Sequence, residues 1–312
     1  MNASEVYGYL QALKEHPLKS LWIYGGEPFL YPKVLTEIVK IARNREIQEI
    51  GVLTNGYWAK REKSAFKRLQ VLREAGITAM TISTDGFHAA GVPPELAIRA
   101  GRLALDAGIE DVDYSVTFLP PRGSSNIYND ISEEIWDRLE CLDGLPVREK
   151  TVTTVGRAAE ALVDHDRLKK LCLKNPHLKT PRSKKSRKKN ACRPPDYIGG
   201  SWTQLQGLEI DPDGWVMICP GLSLGRVGEQ SLSRLLQRYD DDGNVLWQSL
   251  RKEGAHGLLD LAIDRGYQAR SGYADTCHLC YDVRKYLQPY FQAFISPQNC
   301  YGEPSGAGWK IR

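Results

Sequence analysis

The chain has 312 residues, 26% of them charged and 42% hydrophobic, which excludes disordered, collagen-like and coiled-coil chains. Its net charge of +4 rests on one segment: residues 179–190, KTPRSKKSRKKN, hold seven Lys or Arg and no acid, leaving −3 for the rest. No run of 18 apolar residues offers a membrane span, and the first 20 residues lack the apolar core of a signal peptide. Seven Cys are too few for a disulfide scaffold, so a cytoplasmic, reduced protein is expected.

In chain order, residues 4–14 read as a helix with Ser4 as its cap, and 21–24 as a strand ended by Gly25-Gly26. Residues 31–44 carry apolar side chains at a helical period. A strand over 49–54 closes on Asn55-Gly56, a helix follows over 65–75, and a strand over 77–83 ends at Asp85-Gly86. Residues 93–107 form a helix with Pro in its first turn. The alternation V-D-Y-S-V-T-F over 112–118 gives a fourth strand, 131–142 a helix and 147–155 a fifth strand. These spacings suit successive βαβ units, hence an α/β fold with a parallel sheet. Its functional loops should lie at the carboxyl ends of the strands.

The second half has a different texture. Residues 207–219 read as a hairpin around Asp211-Pro212-Asp213-Gly214. Helices are expected over 231–239 and 246–265, the latter split near Gly254 or Gly257. Three regions result: 1–175, a basic linker at 176–195, and 196–312. The linker's charge run reads as a solvated loop. No aromatic residue interleaves it, so a nucleic-acid partner is not expected.

Three strand-end loops carry the chemistry. Gly25-Gly26 allows close backbone approach to a ligand, Glu27 offers a carboxylate to an ammonium group, and Pro28 fixes the exit angle. Together with Leu53-Thr54-Asn55-Gly56 and Ile82-Ser83-Thr84-Asp85-Gly86, this loop resembles the GGEP, TNG and fourth-strand motifs of the radical S-adenosylmethionine superfamily. Gly156-Arg157-Ala158 is similar to a segment after a later strand of that family. The resemblance implies a partial (β/α)6 parallel barrel that binds S-adenosylmethionine on a [4Fe–4S] cluster and cleaves it to a 5′-deoxyadenosyl radical. It further implies an electron donor such as a flavodoxin or ferredoxin. By the same resemblance Gly25, Gly26 and Glu27 meet the methionine amino group, and Pro28 belongs to the same cofactor-binding loop. Asn55, Ser83 and Asp85 line the pocket, and Arg157 meets the carboxylate. His88 follows Asp85 in a loop and either faces the substrate or points to solvent.

The family holds its cluster with CxxxCxxC after the first strand. This chain contains no such motif, and its first Cys is Cys141. With residues 4–14 taken as the helix that precedes GGEP, the first strand and cluster loop would lie before Met1. The expectation is a fragment, or else a degenerate member, that does not cleave S-adenosylmethionine as written.

Cys192, Cys219, Cys277 and Cys280 form a candidate four-thiolate metal set, the last two as a CxxC pair. Gly214 with Cys219 and the later CxxC resembles the SPASM or twitch extensions, which implies one auxiliary [4Fe–4S] cluster, with Cys300 as a substitute ligand. Zinc is the competing metal, with His278 able to replace one thiolate. Cys141 and Cys172 read as buried apolar residues on helices, and Trp202, Trp215 and Trp247 as core. Extensions of this kind imply a peptide or protein substrate. The alternative is a non-catalytic peptide-binding module with structural zinc. No membrane partner is expected.

Overall fold

A computed structural model of the chain describes residues 1–142, 144–163, 171–172, 205–239 and 243–301. The chain divides into two compact units, Met1–Val152 and Thr153–Arg312. The expected basic linker at 176–195 lies outside the described residues.

The first unit alternates helix and strand. Its elements are α1 (Ala3–Ala12), β1 (Ser20–Ile23), α2 (Pro32–Asn44), β2 (Glu49–Thr54) and α3 (Glu62–Ala75). They continue with β3 (Ala79–Ser83), α4 (Pro94–Asp106), β4 (Asp111–Phe118), α5 (Ile127–Glu140) and β5 (Val147–Thr151). All neighbouring strands are parallel, in the order β1-β2-β3-β4-β5. This open α/β sheet accords with the partial parallel barrel expected from the sequence. The cap of α1 is Asn2, not Ser4: Asn2 Oδ1 accepts the Glu5 N–H at 3.0 Å while the Glu5 carboxylate accepts the Asn2 N–H. That reciprocal box satisfies two amide donors where Ser4 would have satisfied one.

Register assigns the side chains to two faces. Ile50, Val52, Met80, Ile82, Val112, Tyr114, Val116 and Phe118 join the helices in one apolar core. The opposite face of β3, β4 and β5 is polar, because Thr81 is registered with Asp113, Ser83 with Ser115, Ser115 with Arg148 and Thr117 with Lys150. Parallel sheets sandwiched between helices are apolar on both sides, so this polar face is not built to receive a second helix layer.

In the second unit Glu209–Ile210, Trp215–Cys219 and Leu222–Arg226 form a three-stranded antiparallel sheet. The expected hairpin is present, with Asp211 Oδ1 accepting the Asp213 and Trp215 N–H groups at 2.9 and 2.8 Å. The third strand was not anticipated. Helices follow at Leu232–Gln237, Val245–Glu253, Ala255–Ile263 and Thr276–Leu287, the break falling at Gly254. Two readings are corrected. Cys141 is exposed at the C-cap of α5, and Cys172 lies in a two-residue strand, Leu171–Cys172, paired with Gly272–Tyr273. Trp247 is core and Trp215 half-buried, while Trp202 lies outside the described residues. Among the described residues no helix is long and apolar enough to cross a membrane.

Candidate cofactor site at the strand ends

The loop after β1 turns at Gly25 and Gly26, with φ of +89° and +57°, a region that disfavours side chains. Both glycines are exposed. Glu27 is the N-cap of the 3₁₀ turn Pro28–Leu30 and is buried. Its Oε1 accepts the Phe29 N–H at 3.1 Å and the Thr54 hydroxyl at 2.8 Å, and its Oε2 accepts the Asn55 N–H at 2.8 Å. The carboxylate therefore clasps the loop after β1 to the loop after β2. A carboxylate has about four acceptor sites, so one site on Oε2 remains for an ammonium donor. Thr54 Oγ1 also accepts Trp58 Nε1–H at 2.9 Å, and the Trp58 ring stacks on Phe29 at 4.3 Å. Asn55 Oδ1 takes the Tyr57 N–H at 3.0 Å. A cavity of about 280 Å³ opens beside this clasp, lined in part by Glu27, Asn55, Tyr57, Lys60 and Leu96.

A second clasp joins the ends of β3 and β4. Asp85 is fully buried; its Oδ1 accepts from the Phe87 N–H, the His88 N–H and His88 Nδ1, and its Oδ2 from the Thr117 N–H. Burial raises its pKa, but the bonds and charge from His88, with the bond from Thr117, outweigh it and hold the carboxyl below the usual range. Asp85 thus has no solvent-facing oxygen, and it positions the half-exposed His88. Gly86 follows because a Cβ there would stand 2.2 Å from the Tyr128 carbonyl on α5. Ser83 ends β3 half-buried, on the polar face. Gly25, Gly26, Glu27, Pro28, Asn55, Ser83 and Asp85 all sit at carboxyl ends of the sheet. Arg157 is an exposed residue opening a short helix, Arg157–Ala161, in the second unit.

Sequence reasoning missed Thr54 and Thr117 as clasp partners and Asp113 as a buried acid. Asp113 Oδ2 meets Arg148 Nη2 at 2.7 Å, while its Oδ1 is buried with no hydrogen-bond partner among the described residues. Burial raises its pKa, opposed by Thr81 and Arg148. The alternation in β4 carried the signal for this face; the contacts across 27 and 32 positions at the clasps leave no readable spacing.

In the second unit Cys277 and Cys280 stand three apart at the start of the helix Thr276–Leu287, whose N-cap is Asp275. Cys219 ends its strand, and Cys300 closes the 3₁₀ turn Gln298–Cys300. Burial pushes the thiols of Cys219 and Cys277 up to about 11 and about 12, and Cys300 up as well; the Arg284 charge opposes each. The charges of Cys280 and Cys300 oppose ionisation of Cys219, and those of Cys280 and Cys219 oppose ionisation of Cys277. His278 points elsewhere: its Nδ1 accepts the Ala274 N–H at 3.1 Å and its ring meets Tyr273 edge-on. It is not placed to replace a thiolate through that nitrogen. Cys192 lies outside the described residues, and among the described residues no three His, Cys, Asp or Glu side chains form a metal-holding group.

A family model described as the radical SAM superfamily matches residues 1–124, which take in the loops after β1, β2 and β3. The GTP 3′,8-cyclase of Listeria welshimeri is 31% identical over 93 residues, 28% of this chain and 25% of that protein. That of Cronobacter sakazakii is 29% identical over 126 residues, 38% of this chain and 36% of its own. YydG of Bacillus subtilis, provisionally named a peptide biosynthesis protein, is 30% identical over 76 residues, 24% of either chain. Residues 1–124 thus resemble the radical SAM superfamily. The chain spans about a quarter to a third of the length of these relatives. The radical SAM match covers the two clasps and stops before β5.

Proposed function

We propose that Met1–Val152 is the S-adenosylmethionine-binding part of a radical SAM enzyme. The observation that carries this reading is the Glu27 clasp: it holds the Gly25-Gly26 turn open to solvent and keeps one acceptor site of its own beside a cavity. An ammonium group can be met there by backbone carbonyls and by Glu27 Oε2. Asn55 and Ser83 offer an amide and a hydroxyl to the polar parts of the cofactor. Asp85 acts through Thr117 and His88 by holding the loops, since its own oxygens are engaged. Bound to a reduced [4Fe–4S] cluster, S-adenosylmethionine supplies a radical that removes a hydrogen atom from a substrate. The seven Cys of these 312 residues include no CxxxCxxC, so they do not fit that cluster and these residues alone do not perform the cleavage.

Calorimetric titration tests the binding. Saturable S-adenosylmethionine binding weakened at least tenfold by Glu27→Ala supports the reading; absence of saturable binding overturns it. Release of 5′-deoxyadenosine by the 312-residue chain under reducing, anaerobic conditions would contradict the second half. The provisional name of one relative favours a peptide or protein substrate. We extend the reading to Cys219, Cys277 and Cys280, with Cys192 or Cys300, as ligands of one auxiliary metal centre. Iron and acid-labile sulfide in equal amounts would support a cluster. Zinc alone would instead give that unit a structural role in peptide binding.

A further inference from the structure

The polar face of the sheet has a charge order along the strands. Asp111 and Asp113 occupy the first half of β4, whereas Arg148 and Lys150 are registered with Ser115 and Thr117 in its second half. The cations therefore lie toward the carboxyl ends, the side of the sheet that carries the Glu27 and Asp85 clasps. Arg148 is not a free surface cation. One terminal nitrogen is fixed on Asp113, whose carboxylate is 3% exposed, while the Arg148 side chain is 60% exposed. That contact pins the guanidinium and leaves most of its fork outside. Between these cations and β3 run the Ser115, Thr117 and Ser83 hydroxyl positions.

We propose that Arg148 and Lys150 form a subsite for an oxyanion of the substrate, a phosphate or a carboxylate, with Asp113 as the positioning residue. A pinned guanidinium presents paired N–H donors to such a group, and Lys150 adds a point charge beside it. Strand spacing sets the scale: β5 is three strands from β2, roughly 14 Å at about 4.8 Å per strand. A substrate anchored by its anion on β5 can thus extend across the sheet toward the cofactor loops. The subsite's role in catalysis rests on the radical SAM reading above, but anion binding does not depend on it.

The test titrates the 312-residue chain at low salt with tripolyphosphate and, separately, with tricarballylate. Saturable binding of the first identifies a phosphate source and of the second a carboxylate source. Arg148→Ala and Lys150→Ala should each weaken the favoured probe about tenfold, and Asp113→Asn about threefold, since charge-assisted bonds dominate such sites. S-adenosylmethionine affinity, measured on the same samples, should stay within about twofold, because β5 lies three strands from β2, where Glu27 meets Thr54 and Asn55. Unchanged probe binding in Arg148→Ala and Lys150→Ala overturns the proposal. So does an equal loss in Lys184→Ala/Lys185→Ala, which removes charge from the basic run instead, and so does the absence of saturable binding by either probe. If S-adenosylmethionine fails to bind while the oxyanion binds and responds to Arg148, the cofactor reading falls and the subsite stands.

Discussion

Glu27 and Asp85 do the same mechanical job at two places on one sheet edge, and the difference between them is instructive. Each is a carboxylate that accepts backbone N–H groups from its own loop and from the next strand's end. The Asp85 clasp is closed: the side chain is fully buried and both oxygens face protein donors. The Glu27 clasp is open: it borders a cavity, and the two glycines before it are exposed. A closed clasp contributes stability and fixes geometry. An open one holds a loop while leaving polar groups for a ligand, and only the open one is expected to change cofactor affinity when altered.

Five substitutions and one titration test that contrast. The largest effect is expected from Gly86→Ala, where the new Cβ would stand 2.2 Å from the Tyr128 carbonyl. Backbone on both sides leaves no cheap relaxation, so a loss above about 4 kcal/mol is expected, read as a collapsed urea midpoint. Asp85→Ala strands the Phe87, His88 and Thr117 N–H groups and should cost about 3 kcal/mol in the same assay. The Asp85 carboxyl titrates below its usual range, so its contribution is present at neutral pH and is lost as pH falls below about 4. Acid unfolding monitored by circular dichroism should therefore be shallower in Asp85→Asn; an identical acid limb would remove the closed clasp from the account. Glu27→Gln keeps Oε1 but turns the other terminus into a donor facing the Asn55 N–H. It should cost only about 1–2 kcal/mol of stability while S-adenosylmethionine binding falls at least tenfold. Equal losses of binding in Glu27→Gln and in a folded Asp85→Asn would erase the distinction. The smallest effect belongs to His88→Ala, at or under about 1 kcal/mol, because its side chain is 38% exposed.

The fold of the first unit was legible because each strand and helix announces itself locally. Val112, Tyr114, Val116 and Phe118 alternate with polar residues, and Leu35, Ile38, Val39 and Ala42 recur at the period of the helix they bury. The candidate site was legible as three loops in the right order. What joins them was not. Glu27 meets Thr54 at a separation of 27, Asp85 meets Thr117 at 32, and Asp113 meets Arg148 through the lateral register of two strands. Such pairings depend on the finished sheet and leave no pattern in a window of a dozen residues. The second unit was harder for a related reason. Its strands are two to five residues long, and Leu222–Arg226 contains Gly225, so neither period is sustained long enough to read. The misjudged cap of α1 has a simpler cause: Asn2 and Ser4 are both good caps, and Glu5 decides between them by returning the bond to Asn2.

The strand order of the first unit also bears on how the chain is made. Gly51 pairs with Ala79, 28 positions on, and Tyr114 with Val147, 33 positions on, and no strand waits for a partner from a distant part of the sequence. Each new βα segment leaving the ribosome finds its neighbour already emerged, so the sheet can grow in the direction of synthesis, one strand at a time.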